Sequence, residues 1–366
     1  MWIRSLTDLF DEYATARDDN KKVLEPVAVG ASLAFESVKG DIALSDLARL
    51  VTRNVTTAEK FYSPGHSNPA DFAFNDGMLT FRSPIHTETQ ANNIVSATVY
   101  EARKSRAAVI ILPHWNALAG SYRLLCRILA RLGLTAVELT LPYHGSRNRP
   151  GSVVADYFVS PNLGRTIRST RQAVLDTRKT VDWLTLRGYR DFALAGVSMG
   201  SCIAGLVAAH DTRIRASALL LTAGDFAEVV WTSRATRHIK ESLETSLSLD
   251  DLQSVWSIIS SGTFAKALSR DGHNTLVLSG ARDRIAQPFL TERLCRQLES
   301  HGANYDWRTF SCGHYSMGIF PFNVMVFLEL KRFLQATSVL ARGKDLKTLK
   351  ILGPNSAPAT SSIARR

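Results

Sequence analysis

The stretch Phe192-Ala193-Leu194-Ala195-Gly196-Val197-Ser198-Met199-Gly200-Ser201-Cys202-Ile203-Ala204-Gly205 decides how the rest of the chain is read. An apolar run of strand character ends in Gly-x-Ser-x-Gly, and small residues suited to a helix follow at once. The pattern predicts a strand, a sharp turn and a helix. A serine on such a corner is lifted clear of the sheet, at the start of a helix whose free N–H groups favour developing negative charge. Gly196 and Gly200 suit the corner because a Cβ at either place would press on neighbouring backbone. Gly-x-Ser-x-Gly alone arises often by chance, and a structural turn serine is the bland alternative. The apolar run before it, and Gly200, Ala204 and Gly205 after it for close helix-to-sheet approach, favour a nucleophile at Ser198.

Working outward, the hydrophobic period is that of alternating strands and helices. Met78 to Phe81 and Ile94 to Tyr100, with Val95, Ala97 and Val99 alternating with polar residues, predict an antiparallel pair at a sheet edge. Ala107-Ala108-Val109-Ile110-Ile111-Leu112 is continuous and β-branched, as in a strand buried on both faces of a parallel sheet. Then follow a helix (Tyr122 to Leu132), a strand (Ala136 to Leu141), a long helix (Thr166 to Leu186), the Ser198 strand with its helix, and a strand (Ala216 to Thr222). The core resumes with a strand (Thr275 to Leu278), a helix (Phe289 to Leu298), a strand (Asp306 to Phe310) and a last helix (Phe322 to Leu334). The alternation predicts an α/β fold with a mostly parallel central sheet flanked by helices.

Three other segments frame this domain, which the sequence places at residues 76–335. Residues 1–75 read as a helical extension, with Leu44, Leu47, Leu50 and Val51 spaced for one helix face, ending near the breaker-rich Ser63-Pro64-Gly65-His66. Residues 224–270 interrupt the strands with helical periodicity and carry Trp231 and Trp256, read as exposed; a helical cap over the site is expected there. Residues 336–366 turn basic and then Pro/Ser/Ala-rich, which predicts disorder.

A serine hydroxyl needs a base to take its proton and a third group to orient that base. His314, in Ser311-Cys312-Gly313-His314-Tyr315, follows the last predicted strand. Asp283, in Ser279-Gly280-Ala281-Arg282-Asp283-Arg284, ends the preceding one. Both lie at the carboxyl edge of the sheet, where open α/β folds gather their sites. The order Ser, Asp, His is the one that goes with this architecture. Asp283 could instead pair with Arg282 or Arg284, and Asp225 is the reserve candidate for the acid. An oxyanion hole needs two backbone N–H groups. Met199 N–H supplies one, and the loop Pro113-His114-Trp115-Asn116-Ala117 the other, through Asn116 or, failing that, Trp115. Trp115, Trp231 and Trp256 are the candidate substrate contacts.

These motifs resemble the α/β-hydrolase superfamily over roughly residues 92–335. The resemblance rests on Gly196-Val197-Ser198-Met199-Gly200, the Gly280 to Asp283 turn, Gly313-His314, and Leu141-Pro142-Tyr143-His144-Gly145-Ser146, which is similar to that superfamily's Pro-Gly-His-Gly-x-Ser loop with Tyr143 for a glycine. It implies a Ser-His-Asp serine hydrolase, an esterase of lipase-like type that needs no cofactor and no metal. His114-Trp115 stands where the superfamily has His-Gly. The Pro142 to Arg147 stretch is also similar to abhydrolase-domain-containing proteins, a group associated with lipid ester substrates. The expected activity is hydrolysis of a small-molecule or lipid carboxylic ester through an acyl-enzyme. An acyltransferase or peptidase with the same triad, or a binding protein on a hydrolase fold, are the alternatives.

The 366 residues, 45% apolar and 21% charged, are ordinary for a soluble globular chain. The 44 Lys+Arg against 33 Asp+Glu give a net charge of +11. Arg165, Arg168, Arg171, Arg178 and Lys179 are expected on an exposed helix, so the charge reads as a solvated basic surface. It leaves peripheral contact with an anionic membrane open, and no nucleic-acid motif accompanies it. Cys126, Cys202, Cys295 and Cys312 share no metal spacing and suggest reduced thiols in a cytoplasmic setting. The N-terminus carries acids where a signal peptide needs a basic and then an apolar run, and no stretch nears the ~18 apolar residues of a membrane span. The sequence does not name the ester or the oligomeric state.

Overall fold

The strand that leads to Ser198 lies near the middle of one sheet because its neighbours on both sides are as apolar as it is. The computed structural model describes residues 2–19, 25–103 and 105–337. Its strands are β1 (Phe72–Asn75), β2 (Met78–Arg82), β3 (Ile94–Tyr100), β4 (Ala107–Leu112), β5 (Thr135–Leu139), β6 (Asp191–Val197), β7 (Ile214–Leu220), β8 (Asn274–Gly280) and β9 (Asn304–Phe310). They form a single sheet in the order β1-β2-β3-β5-β4-β6-β7-β8-β9. The pairs β1/β2, β2/β3 and β3/β5 are antiparallel, and all pairs from β5 onward are parallel. Every residue of β4 and β5 is buried, which the continuous apolar sequence of β4 requires; β5 buries Thr135 and Glu138 as well.

The expected edge pair is present, with Leu79 opposite Ala97 and Phe81 opposite Val95. Its outer neighbour β1 is an addition to the sequence reading and lies inside the stretch assigned to the N-terminal extension. Asp76 (φ 50°) and Gly77 (φ 77°) close this hairpin in the left-handed conformation that a two-residue turn demands.

Ahead of the sheet come α1 (Trp2–Asp19), α2 (Ala31–Ala34), α3 (Leu44–Thr56) and α4 (Ala58–Phe61). Helices α5 (Arg123–Arg131), α6 (Leu163–Leu186) and α7 (Met199–His210) follow β4, β5 and β6. Between β7 and β8 lie α8 (Phe226–Thr232), α9 (Arg237–Leu243), α10 (Leu249–Trp256) and α11 (Ala265–Leu268), and the chain closes with α12 (Pro288–Ser300) and α13 (Phe322–Ala336). The residues before the sheet share its core: Leu47, Val51 and Tyr62 are fully buried in the same cluster as Ile110 and Ile203. Tyr62 also donates its hydroxyl to the Ile258 carbonyl at 2.7 Å. Of the basic tail expected over residues 336–366, the part from 338 onward lies outside the described residues.

Helix α6 corrects the expectation of an exposed basic surface. One side of it faces the sheet and the N-terminal residues cover much of the other, so its cations meet protein groups rather than water. Arg165 pairs with Glu25 at 3.0 Å, Arg168 with Glu88 at 2.9 Å and Lys179 with Asp71 at 3.3 Å, while Arg171 donates to the Phe61 carbonyl at 2.8 Å. Deeper still, the buried Asp176 carboxylate pairs with the buried Arg147 at 2.8 Å and accepts from Ser83 Oγ at 2.7 Å. Burial pushes the Asp176 carboxyl up, and Arg147 and Ser83 work against it.

The insert between β7 and β8 divides into two parts. Helix α10 packs on α3 and α8, and Trp256 is fully buried, its ring 5.6 Å from that of Phe226 and its Nε1–H donated to the Leu163 carbonyl at 3.3 Å. Trp256, expected as an exposed aromatic of a cap, is therefore a core residue. The α9 part reaches the loop after β4, where His238 lies parallel to Trp115 at a centroid distance of 6.5 Å.

Removing one partner of a buried ion pair strands the other charge in a low-dielectric interior at a cost of about 3–5 kcal/mol. Arg147→Met should lower the unfolding free energy by about that much in denaturant titration, and adding Asp176→Leu to it should restore most of the loss.

Candidate active site

The corner after β6 has the geometry its sequence calls for. Ser198 sits at φ 53° and ψ −116°, between the last residue of β6 and the first of α7, and its N–H donates to the Leu220 carbonyl of β7 at 2.8 Å. A Cβ on Gly200 would overlap the Leu112 carbonyl oxygen, and one on Gly196 would overlap that of Gly200. The two glycines thus let α7 start directly against the ends of β4 and β6, which leaves the Ser198 side chain half-buried at the sheet edge.

His314 Nε2 lies 2.9 Å from Ser198 Oγ, and its Nδ1 lies 2.7 Å from Asp283 Oδ2. Asp283 is only 3% exposed, and its Oδ1 accepts from the N–H groups of Ile285 at 2.7 Å and Ala286 at 3.0 Å. Both lone-pair-bearing oxygens are therefore occupied. An ionised carboxylate can only accept, so the proton of a neutral His314 belongs on Nδ1, and the Nε2 lone pair faces the serine hydroxyl. The loops carrying Asp283 and His314 are held side by side by Ala281 N–H to the Phe310 carbonyl at 2.8 Å and Arg282 N–H to the Cys312 carbonyl at 3.0 Å. Asp225, the reserve acid, has other work: its Oδ1 caps α8 by accepting from Glu228 N–H at 3.0 Å, and Oδ2 accepts from Gln253 at 2.6 Å. Cys312 offers no rival nucleophile. Burial, and then the charges of Asp11 and Asp283, push its thiol up to about 12.

The loop after β4 requires a correction. Asn116, chosen from sequence as the second oxyanion donor, has φ 62° and donates its N–H to His144 Nε2 at 3.0 Å, while its Oδ1 accepts from Ala155 N–H at 2.7 Å. Its N–H faces the imidazole because His144, buried and bonded through Nδ1 to the Pro142 carbonyl at 2.8 Å, presents a lone pair there. Among the described residues, the N–H groups of Trp115 and Met199 carry no hydrogen bond. Trp115 is fixed by its Nε1–H to the Ala155 carbonyl at 3.0 Å. The Leu141 to Ser146 motif signalled this loop, but only folding shows that His144 secures Asn116.

Trp231 borders a cavity of about 440 Å³ whose wall also contains Arg234, Arg237, Lys240, Asp283 and Arg284. Its indole lies under the Lys240 ammonium, 5.7 Å from the ring centroid. Of the three tryptophans singled out as substrate contacts, Trp231 lines this cavity, Trp115 lies in the loop after β4 and Trp256 is in the core. The sequence places helix in residues 1–75 but assigns no residue of α1 to the site. Asp8 pairs with Arg282 at 3.0 Å and Glu12 with Arg284 at 3.2 Å, on either side of Asp283. Among the described residues no group of His, Cys, Asp and Glu is placed to hold a metal ion, and no helix is long and apolar enough to cross a membrane.

No protein-family model matches the sequence, and no curated protein matches it. Solved structures do. Acetyl xylan esterase 1 of a Thermoanaerobacterium species superposes with a TM-score of 0.57 at 14% identity, over 80% of this chain and 99% of its own. A Paenibacillus acetyl xylan esterase gives 0.56 at 15% identity, over 81% of this chain and 100% of its own. Acylaminoacyl peptidase of Pyrococcus horikoshii gives 0.57 at 11% identity over 73% of this chain, which spans only 42% of that enzyme's length. These likenesses are of fold: the chain has the α/β-hydrolase fold, as its motifs implied.

Burial lowers His144 from 6.5 to about 4. Its folded value lies below its unfolded one, so its contribution to stability is complete above the unfolded value and is lost as pH falls from 6.5 through about 4. Across that window the residue should contribute a slope of about 1.4 kcal/mol per pH unit to the unfolding free energy. Denaturant titrations at a series of pH values should show a shallower slope in His144→Gln than in the unsubstituted protein.

Proposed function

We propose that the protein is a serine hydrolase that cleaves carboxylic esters through an acyl-enzyme. The observation that carries this reading is the chain of contacts from Ser198 Oγ through His314 to Asp283, mounted on a backbone corner at φ 53°. In the first step Ser198 Oγ attacks the ester carbonyl as its proton passes to His314 Nε2. Asp283 stays ionised and holds the imidazolium by its Nδ1–H. The tetrahedral oxyanion is met by Met199 and Trp115 N–H, the two donors left without an internal acceptor. Collapse expels the alcohol, which takes the proton from Nε2. Water then attacks the acyl-serine by the same route in reverse, releasing the acid and restoring the hydroxyl.

One consideration favours an ester over a peptide. The two esterases of similar fold are covered almost end to end, whereas the peptidase is matched over less than half its length. The apolar acyl or alcohol group suggested by the aromatic and aliphatic insert keeps the support of Trp231, and the cations beside it add an attraction for negative charge. Four unpaired, buried cysteines fit a reducing cytoplasmic setting.

The test is reaction with a fluorophosphonate, a probe that labels only an activated serine, followed by peptide mass spectrometry. Label should appear on Ser198 and vanish in Ser198→Ala and His314→Ala. Hydrolysis of p-nitrophenyl esters should fall by about 10⁴–10⁶-fold in Ser198→Ala. Full turnover in that variant would sink the mechanism. Competing alcohols and amines in the same assay separate hydrolysis from acyl transfer, and a peptide panel separates esterase from peptidase.

A further inference from the structure

Helix α1 meets the body of the protein with the opposite polarity to an ordinary surface helix. Leu6, Leu9 and Tyr13 are exposed, while Thr7 and Thr15 are buried. Thr7, Asp8, Asp11, Glu12 and Thr15 recur at the spacing of one helix face, and that face lies on the two loops that carry Asp283 and His314. Asp11 is at its centre. Its Oδ1 accepts from Tyr315 N–H at 2.7 Å and from Ser316 N–H at 3.1 Å, and its Oδ2 accepts from Ser316 Oγ at 2.5 Å. Ser316 Oγ in turn accepts from Gly313 N–H at 2.8 Å.

The residues on both sides of His314 are therefore tied to one carboxylate that lies 304 positions away from Tyr315 in the chain. Successive backbone N–H groups converging on an anion form a nest that fixes the dihedral angles of the residues supplying them. Gly313 is small for the same reason, since a Cβ there would overlap the Asp11 carboxylate. Within its helix Asp11 is held in turn, because Thr15 Oγ1 donates to its carbonyl at 2.7 Å.

We propose that Asp11 is a positioning residue for His314, sitting at the foot of the 313–316 loop and setting the angle at which the imidazole meets Ser198. The inference rests on the triad reading given above. It assigns α1 a part in the active site that neither the elbow nor the neighbouring folds reveal. Asp11 touches no reacting atom. Its effect travels through the backbone of Tyr315 and Ser316.

The experiment compares Asp11→Ala, Asp11→Asn and Asp8→Ala with the unsubstituted protein, using fluorophosphonate labelling rates and p-nitrophenyl acetate kinetics across pH. A misplacement of the base of about 1 Å is worth up to ~10²-fold in rate. Asp11→Ala should therefore lose about 10–100-fold in kcat and in labelling rate with KM nearly unchanged. Asp11→Asn keeps the Oδ1 acceptor for the two N–H groups and should fall between, and it carries the test if the alanine variant fails to fold. Asp8→Ala removes an ion pair from the same helix and should leave kcat and KM as they were. A folded Asp11→Ala with unaltered kcat and labelling rate overturns the inference. So does an equal loss in Asp8→Ala, which would make the effect one of helix docking in general. Unsubstituted protein that takes no label fails the triad reading itself, a different result from label that is indifferent to Asp11.

Discussion

The close approach of Gly200 to the Leu112 carbonyl is the constraint on which the rest of the site depends. Helix α7 can begin only where a residue without a side chain passes the end of β4, and the chain must turn there within a single residue. Ser198 absorbs that turn in a backbone conformation that costs of order 1–3 kcal/mol for a non-glycine residue. The cost is carried by the apolar packing of β6 and α7, whose residues from Ile203 to Ala208 are almost all fully buried. With the corner fixed, everything else must come to the serine. Strands β7, β8 and β9 step outward from β6 in parallel, so the loops that end β8 and β9 fall on the same edge of the sheet.

That geometry explains what could be read in the sequence. Ser198, Asp283 and His314 each follow a strand of clear period, and in a parallel sheet the ends of successive strands share an edge. Their meeting was therefore implied by order alone. The strands and core helices were legible for a related reason: β4 and β6 are apolar without interruption, and no other element of that length suits them. Strand β1 escapes the sequence reading because Phe72 to Asn75 is only four residues long and follows the breaker-rich loop directly.

What sequence could not give was direction of contact. Asn116 N–H was a sound choice by position, yet a buried lone pair on His144 claims it, and that histidine belongs to a different loop. Trp256 reads as exposed in the sequence, whereas its ring meets Phe226 and its Nε1–H reaches the Leu163 carbonyl. The cations of α6 read as solvated, and their partners Glu25, Asp71 and Glu88 all lie before the sheet or at its edge. Each case is one of a polar or aromatic side chain whose environment is set by residues far away in sequence, where periodicity is silent.

The same logic reaches the N-terminus. A chain that buries charged side chains must match each with a partner, and here the matches run from the first 90 residues to the hydrolase-like body. Arg165, Arg168 and Lys179 tie that segment to α6, and Arg282, Arg284 and the 313–316 loop tie α1 to the site. Leu6, Leu9, Phe10 and Tyr13 of α1 point outward, while its carboxylates make the hydrogen bonds and ion pairs to the body. Such contacts weaken with salt and with the loss of any one carboxylate, whereas the sheet beneath them does not. The base of the candidate triad thus follows β9 on one side and meets a polar helix face on the other, which ties the orientation of His314 to what happens at the N-terminal helix.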